Sequence, residues 1–103
     1  MESDWKRFSA MTAEWRERYL ATQNVRIARI LTTSKKSETE RFWEAEKQIE
    51  KIAKILRQCL DDLRRSTMVI RLMEMRAAGM ITRDDLVDFS DELQKQIFGA
   101  PKG

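Results

Sequence analysis

The side chains that most often carry enzyme chemistry are scarce in this chain. There is no histidine, which excludes His-based acid–base catalysis, Ser-His and Cys-His nucleophile pairs, and most zinc and haem sites. The one cysteine, Cys59, lies on an apolar helical stripe with no base to ionise it, which indicates inert packing. The three glycines stand at 79, 99 and 103, so there is no glycine-rich phosphate loop. We therefore predict no catalytic residue, no metal site and no cofactor.

The acidic residues also lack the spacing of a metal site. Asp61 and Asp62 are adjacent in the chain, whereas Asp84, Asp85 and Asp88 come at the start of a predicted helix. Carboxylates in the first turn of a helix stabilise it by opposing the positive end of the helix dipole. We interpret the second group as a helix-stabilising, solvated face.

An aromatic residue among charged ones is the best candidate for recognition. Trp43 follows an apolar seam residue and points about 100° away from it around a helix. Tryptophan is frequent among the residues that dominate protein interfaces. The alternative is that Trp43 packs at the edge of the core. We predict a protein-binding surface on this helix that consists of Trp43, Glu46, Lys47 and Lys54.

Arginine residues support a second hypothesis, a small-ligand binder or enzyme. Small all-α dimers of the chorismate mutase type hold a dicarboxylate with side chains from several helices and need no metal. Arg64, Arg65 and Arg71 are the candidates for such a site here. The first segment lacks the Arg-x-x-Ile-Asp-x-x-Asp pattern typical of that family's first helix. Protein binding is therefore the leading hypothesis.

The composition predicts an all-α protein. Of the 103 residues, 42% are apolar and 36% are charged, while only 3 are glycine and 1 is proline, which does not favour strands and tight turns. A single cysteine and the absence of a signal-peptide pattern predict a cytoplasmic protein. No apolar run approaches the roughly 18 residues of a membrane span. A net charge of +3, with Glu residues among the N-terminal arginines, does not favour nucleic-acid binding.

Apolar periodicity and capping residues divide the chain into four helices. The first has a stripe that weakens near Asn24, and the second begins with Ser37 and Glu40 at capping-box spacing. Gly79 ends the third helix, and the pattern leaves open whether the chain breaks near Ser66. The predicted segments are helices over about 3–31, 37–64, 66–78 and 82–98, which form one domain over 1–98, and a disordered tail over 99–103.

The second helix carries the strongest pattern. Its apolar residues recur at alternating steps of 3 and 4 from Phe42 to Leu63, the repeat that a supercoiled helix partner requires. The two C-terminal helices are long enough only for a small head, and an uncovered apolar seam is an association site. The alternative is a compact monomeric bundle. We predict a long-helix homodimer with a small C-terminal head in each chain, whose interface contains Phe42, Ile49, Ile52, Leu56, Cys59 and Leu63.

From Phe42 onward the sequence resembles the fluorescence recovery protein family. The resemblance rests on an ordered set of short matches: Phe42-Trp43, Arg64-x-Ser66, Met68-Val69-Ile70 with Leu72, Ala78-Gly79-Met80-Ile81, and Asp84-Asp85-Leu86 followed by Leu93 and Ile97. It implies an all-helical homodimer with a small helical head at each end. It also implies a function without covalent chemistry, because proteins of this family bind the photoactivated orange carotenoid protein and speed its return to the resting form.

The partner-binding face of that family is matched only in part. The family carries Trp, His, Asp and Arg in the first turns of the long helix, and only the Trp is present here, as Trp43. Glu46 and Lys47, or the residues one position later, stand where the family has the His–Asp pair. Ala53 or Lys54 stands where the family has the Arg. An apolar head residue that assists binding corresponds to Ile70. The resemblance therefore implies a partner protein other than the orange carotenoid protein.

Overall fold

A computed structural model describes residues 2–100 as an all-α chain. Four α-helices follow one another, and no strand occurs among these residues. The helices are α1 (Glu2–Thr32), α2 (Glu38–Leu60), α3 (Met68–Ala77) and α4 (Asp91–Phe98), with short 3₁₀ helices at Arg65–Thr67 and Arg83–Leu86. The prediction of an all-α fold is confirmed.

Helices α1 and α2 form an antiparallel hairpin, the longest part of the molecule. α1 has 31 residues, or about 46 Å of helix, and it is continuous through Asn24. α2 begins at the predicted capping box. The Ser37 hydroxyl accepts a hydrogen bond from the Glu40 N–H at 3.1 Å, and the Glu40 carboxylate accepts one from the Ser37 N–H at 3.2 Å. This pair of bonds fixes where the chain turns into the second long helix.

Helix α2 ends at Leu60 rather than at residue 64 as predicted. The Arg71 guanidinium of α3 donates hydrogen bonds to the carbonyl oxygens of Gln58 and Asp61, at 3.1 and 3.0 Å. These bonds satisfy carbonyls that a longer helix would use itself. Asp62 then takes a φ of 55°, a left-handed conformation that turns the chain. The break therefore lies before Ser66, between α2 and the first 3₁₀ helix.

Residues 82–98 do not form one helix as predicted, but a 3₁₀ helix followed by α4. Two contacts with α1 favour this division. The Asp85 carboxylate accepts two hydrogen bonds from Arg18, at 2.7 and 2.8 Å. Ser90, the N-cap of α4, donates its N–H and its hydroxyl to the buried Asp4 carboxylate, at 2.9 and 2.6 Å. The 3₁₀ helix and α4 are thus each attached to α1 by a contact of their own.

Two glycines end helices of the head in the left-handed conformation. Gly79 has a φ of 74° after α3, in the place where the sequence predicts a helix stop, and Gly99 has a φ of 78° after α4. Residues 101–103 of the predicted tail lie outside the described residues.

The core lies at one end of the hairpin, where α3, α4 and the 3₁₀ helices pack on it as a head. Its apolar residues are Phe8, Trp15 and Tyr19 of α1, Ile52 and Cys59 of α2, and Met68, Leu72, Met75, Met80, Ile81, Leu86, Phe89, Leu93 and Ile97 of the head. The other end of the hairpin, residues 20–51, is termed the hairpin tip. Only Gln23 and Ala45 are buried there. The head therefore covers one half of the hairpin and leaves the other half open.

Exchange of Asp85 for Asn should loosen the attachment of the head to α1. The hydrogen bonds from Arg18 hold the pKa of the Asp85 carboxyl below its ordinary value of 3.8. A carboxyl whose pKa is lowered by folding stabilises the folded state above its unfolded pKa, and that contribution is lost as the pH falls through the folded pKa. At neutral pH we expect Asp85→Asn to lower the free energy of unfolding, measured with urea, by about 1–2 kcal/mol.

The pH dependence separates this contact from a general effect of charge. Wild-type stability should fall below about pH 4, and the difference between wild type and Asp85→Asn should shrink there. Asp84→Asn is the matched control, because Asp84 is exposed and its side chain makes no hydrogen bond with any residue from 2 to 100. Equal losses in the two variants would contradict the role of the Arg18–Asp85 pair.

Candidate protein-interaction surface

The large apolar side chains that the structure leaves exposed are concentrated at one place. Eight such residues occur in the described part of the chain, and five of them belong to the hairpin tip: Val25, Leu31, Phe42, Trp43 and Ile49. Single exposed apolar residues such as Val25 are ordinary on a protein surface, whereas a contiguous group marks an interaction site. Leu31, Phe42 and Ile49 line one groove, and the Trp43 ring contacts Phe42. The hairpin tip is therefore the candidate site.

A shallow apolar groove runs between α1 and α2 along the tip. Residues of α1 and α2 line it, and α3 and α4 contribute none. The residues that form it, termed the tip strip, are Leu20, Asn24, Ile27 and Leu31 of α1 and Phe42, Ala45, Ile49, Ala53 and Leu56 of α2. All of these side chains except that of Asn24 are apolar. The buried Ile52 also lines the groove, and Glu46 and Glu50 border it at the end near Leu31. The tip strip is thus mainly apolar, with two carboxylates at one edge.

The predicted dimer seam is divided between the tip strip and the core of the single chain. Phe42 and Ile49 are about half-exposed in the strip, and Leu56 lies beside them. Ile52 and Cys59 are buried within the chain itself, because the head packs against the C-terminal half of α2. Leu63 also packs against this core. Ile52 and Cys59 are therefore core residues of the single chain, and their place in a dimer interface stays a prediction.

The α1 half of the tip strip was not predicted as an interface. Leu20, Asn24, Ile27 and Leu31 follow one another at steps of 4, 3 and 4, which is the same repeat that α2 carries. The polar Asn24 interrupts this apolar repeat, so the amphipathic pattern of α1 is weaker there. The heptad spacing of Leu20, Ile27 and Leu31 is the sequence feature that could have indicated an interface.

The predicted partner-binding residues of α2 lie on exposed parts of that helix. Trp43 is 60% exposed, and its ring makes an edge contact with Phe42 at 5.0 Å between centroids. Lys47 and Lys54 are exposed and lie within about 40° of Trp43 around the helix. Glu46 lies about 60° from Trp43 around the helix in the opposite direction, and it borders the tip strip. The two aromatic residues therefore join the solvent face of α2 to the strip.

The structure does not bring Ile70 to the same surface within one chain. Ile70 is exposed on α3, and its neighbour Arg71 contacts Gln58 and Asp61 at the C-terminal end of α2. Trp43 lies near the other end of α2, about 22 Å from Gln58 along the helix axis. Ile70 and Trp43 belong to separate surfaces of a single chain.

The three arginines of the alternative ligand site all have acceptors within the chain. Arg65 donates two hydrogen bonds to Glu2, at 2.7 and 3.0 Å, and Arg64 pairs with Asp62 at 2.8 Å. Arg71 is bound to the carbonyl groups at the end of α2. These contacts account for the three side chains by structural roles and do not favour a ligand held between them.

Other kinds of site find little support in residues 2–100. No three His, Cys, Asp or Glu side chains in this range are grouped so that they could hold a metal ion. Nor does this range contain a helix with the length and apolar character that a membrane crossing requires.

Comparisons with known proteins provide no relative. No protein-family model, curated protein or solved structure matches this chain. Membership of the fluorescence recovery protein family stays a prediction, and the function is inferred from the surface described above.

Cys59 should be inert toward thiol reagents in the folded protein. It is 1% exposed, and burial raises the pKa of its thiol to about 11, so the reactive thiolate is both rare and covered at neutral pH. We expect an aromatic disulfide reagent to label it slowly in buffer and completely in denaturant. Rapid labelling of the folded protein would contradict the position of Cys59 in the core of the single chain.

Proposed function

We propose that this protein is a non-enzymatic helical homodimer that binds another protein through the Trp43 face of α2. The observation that carries the proposal is the exposed tip strip, an apolar surface that the chain's own head does not reach. The proposed arrangement is similar to that of the fluorescence recovery protein family, with a different partner.

A second copy of the chain is the occupant that fits the tip strip best. The hairpin is one layer of two helices, and such a layer buries its apolar face only against another layer. Helices α3 and α4 have 10 and 8 residues, too few to extend along the 31 residues of α1. Two hairpins placed strip to strip form a four-helix bundle, an architecture common for long antiparallel helices. Dimerisation thus completes a core that one chain only half builds.

The position of Asn24 supports a dimer in which the tip strips of two chains pack against each other. It lies in the groove between Leu20, Ile27 and Ile49. A lone Asn in an apolar helix interface costs stability but specifies register and the number of chains. A two-fold axis close to Asn24 would let the two side-chain amides pair, since each offers both a donor and an acceptor.

The Trp43 face, which consists of Trp43, Lys47 and Lys54, stays exposed in this dimer and can bind a partner. Trp43, Lys47 and Lys54 lie on the side of α2 that turns away from the tip strip. Tryptophan is among the residue types that most often dominate protein interfaces. Glu46 and Lys47 replace the His–Asp pair of the family that the sequence resembles, which supports a partner of different chemistry.

Exchange of Ile49 for Glu should separate the dimer. A carboxylate in the centre of the strip must lose its water on association, so we expect the dissociation constant, measured by sedimentation, to rise by roughly 100-fold or more. Val25→Glu is the matched control. Val25 is 51% exposed, close to the 49% of Ile49, but it does not line the strip. Equal association of the two variants would contradict a dimer through the tip strip.

Exchange of Trp43 for Ala should abolish partner binding without changing the dimer. We expect proteins that co-purify with the tagged wild-type chain to be lost from Trp43→Ala, and the affinity of an identified partner to fall by about 30-fold or more in calorimetry. Val87→Ala, at an equally exposed position in the head, should bind as the wild type does. Unchanged binding by Trp43→Ala would show that the partner uses another surface.

A further inference from the structure

A small polar pocket lies between α1 and the end of α3, outside the surfaces discussed so far. It has a volume of about 320 Å³, and none of the tip-strip residues lines it. Five side chains of α1 supply its polar groups: Arg18, Tyr19, Thr22, Gln23 and Arg26. The turn at Gly79 closes the opposite side.

Gln23 is the unusual member of this pocket. It is only 6% exposed, yet its amide makes no hydrogen bond with any residue from 2 to 100. The Tyr19 hydroxyl, on an almost equally buried ring, also makes no hydrogen bond with these residues. Neither group is among the side-chain atoms that are fully buried without a partner, so both reach solvent through the pocket. Water satisfies them there until a molecule that offers suitable acceptors replaces it.

The charge of the pocket is positive on the side of Arg26. Arg18 borders the pocket too, but its guanidinium is paired with Asp85 and with the carbonyl oxygen of Met80. Arg26 has no ion pair among residues 2–100. Burial and the neighbouring Cys59 thiol raise the pKa of Tyr19, and the charge of Arg26 acts in the opposite direction. One uncompensated cation thus adjoins two unpaired hydrogen-bonding groups.

We propose that this pocket binds the oxyanion group, carboxylate or phosphate, of a small molecule. Arg26 supplies the charge, and the Gln23 amide and the Tyr19 hydroxyl donate hydrogen bonds to the anion. Charge-assisted hydrogen bonds from a guanidinium are among the strongest that a partly buried site offers, and the planar guanidinium fits both kinds of anion. The site is independent of the dimer and of the Trp43 face.

Backbone amide shifts of the ¹⁵N-labelled protein test this site. Sodium phosphate and sodium acetate are titrated separately at constant ionic strength. We expect saturable shifts at Gln23, Arg26 and Gly79 with at least one of them, and the anion that saturates at the lower concentration identifies the preferred group. Shifts that grow linearly with both salts, or that do not involve these residues, would overturn the proposal.

Two variants separate a binding site from general attraction to a basic protein. Arg26→Gln should raise the dissociation constant of the anion at least tenfold. Arg29→Gln should leave this constant unchanged, because Arg29 is exposed on the same helix, as Arg26 is, but does not line the pocket. Equal weakening in both would overturn the proposal.

Gln23→Leu distinguishes ligand binding from a structural role of the amide. If the amide serves the anion, this variant loses anion binding and keeps its melting temperature, since the amide makes no hydrogen bond within residues 2–100 that the exchange would remove. A lower melting temperature with unchanged anion binding would show that Gln23 has a structural role only, and the proposal would fail.

Discussion

The head is shorter than the hairpin it packs against, and the rest of the structure depends on this difference in length. α1 extends for 31 residues, but the buried aromatic residues that hold the head lie in its first two-thirds, at Phe8, Trp15 and Tyr19. Beyond them both long helices continue with apolar residues on one face, and no other element within residues 2–100 covers this face. The free energy of covering that face is the driving force for the proposed dimer.

Polar contacts fix the head at its end of the hairpin. Arg18 binds Asp85, and Asp4 binds Ser90, so α1 holds the last third of the chain at two separate points. Arg71 fastens α3 to the last turn of α2. Hydrogen bonds are directional, whereas the apolar contacts of the core are not. The three sets of hydrogen bonds therefore fix the position of the head along the hairpin. The position of the open strip therefore follows from residues far away from it.

Local patterns predicted the fold well, and distant contacts explain what they missed. The capping box of Ser37 and Glu40 and the heptad repeat of α2 need only neighbouring residues, so they can be read from the sequence. The end of α2 depends on Arg71, which belongs to another helix. The division of residues 82–98 depends on Asp4, at the other end of the chain. The exposure of Trp43 was one of two alternatives that the sequence left open, and its role in binding stays a prediction. The α1 half of the strip was not recognised, because the polar Asn24 interrupts its apolar repeat.

The mass of the wild-type protein in solution tests the central claim most directly. Static light scattering over a dilution series reports it without a label or a variant. The account predicts a mass near twice the 12.2 kDa of one chain, constant until dilution reaches the dissociation constant. A mass of one chain at every concentration would contradict it, because the tip strip would then be a stable exposed surface and the basis for a homodimer would be gone.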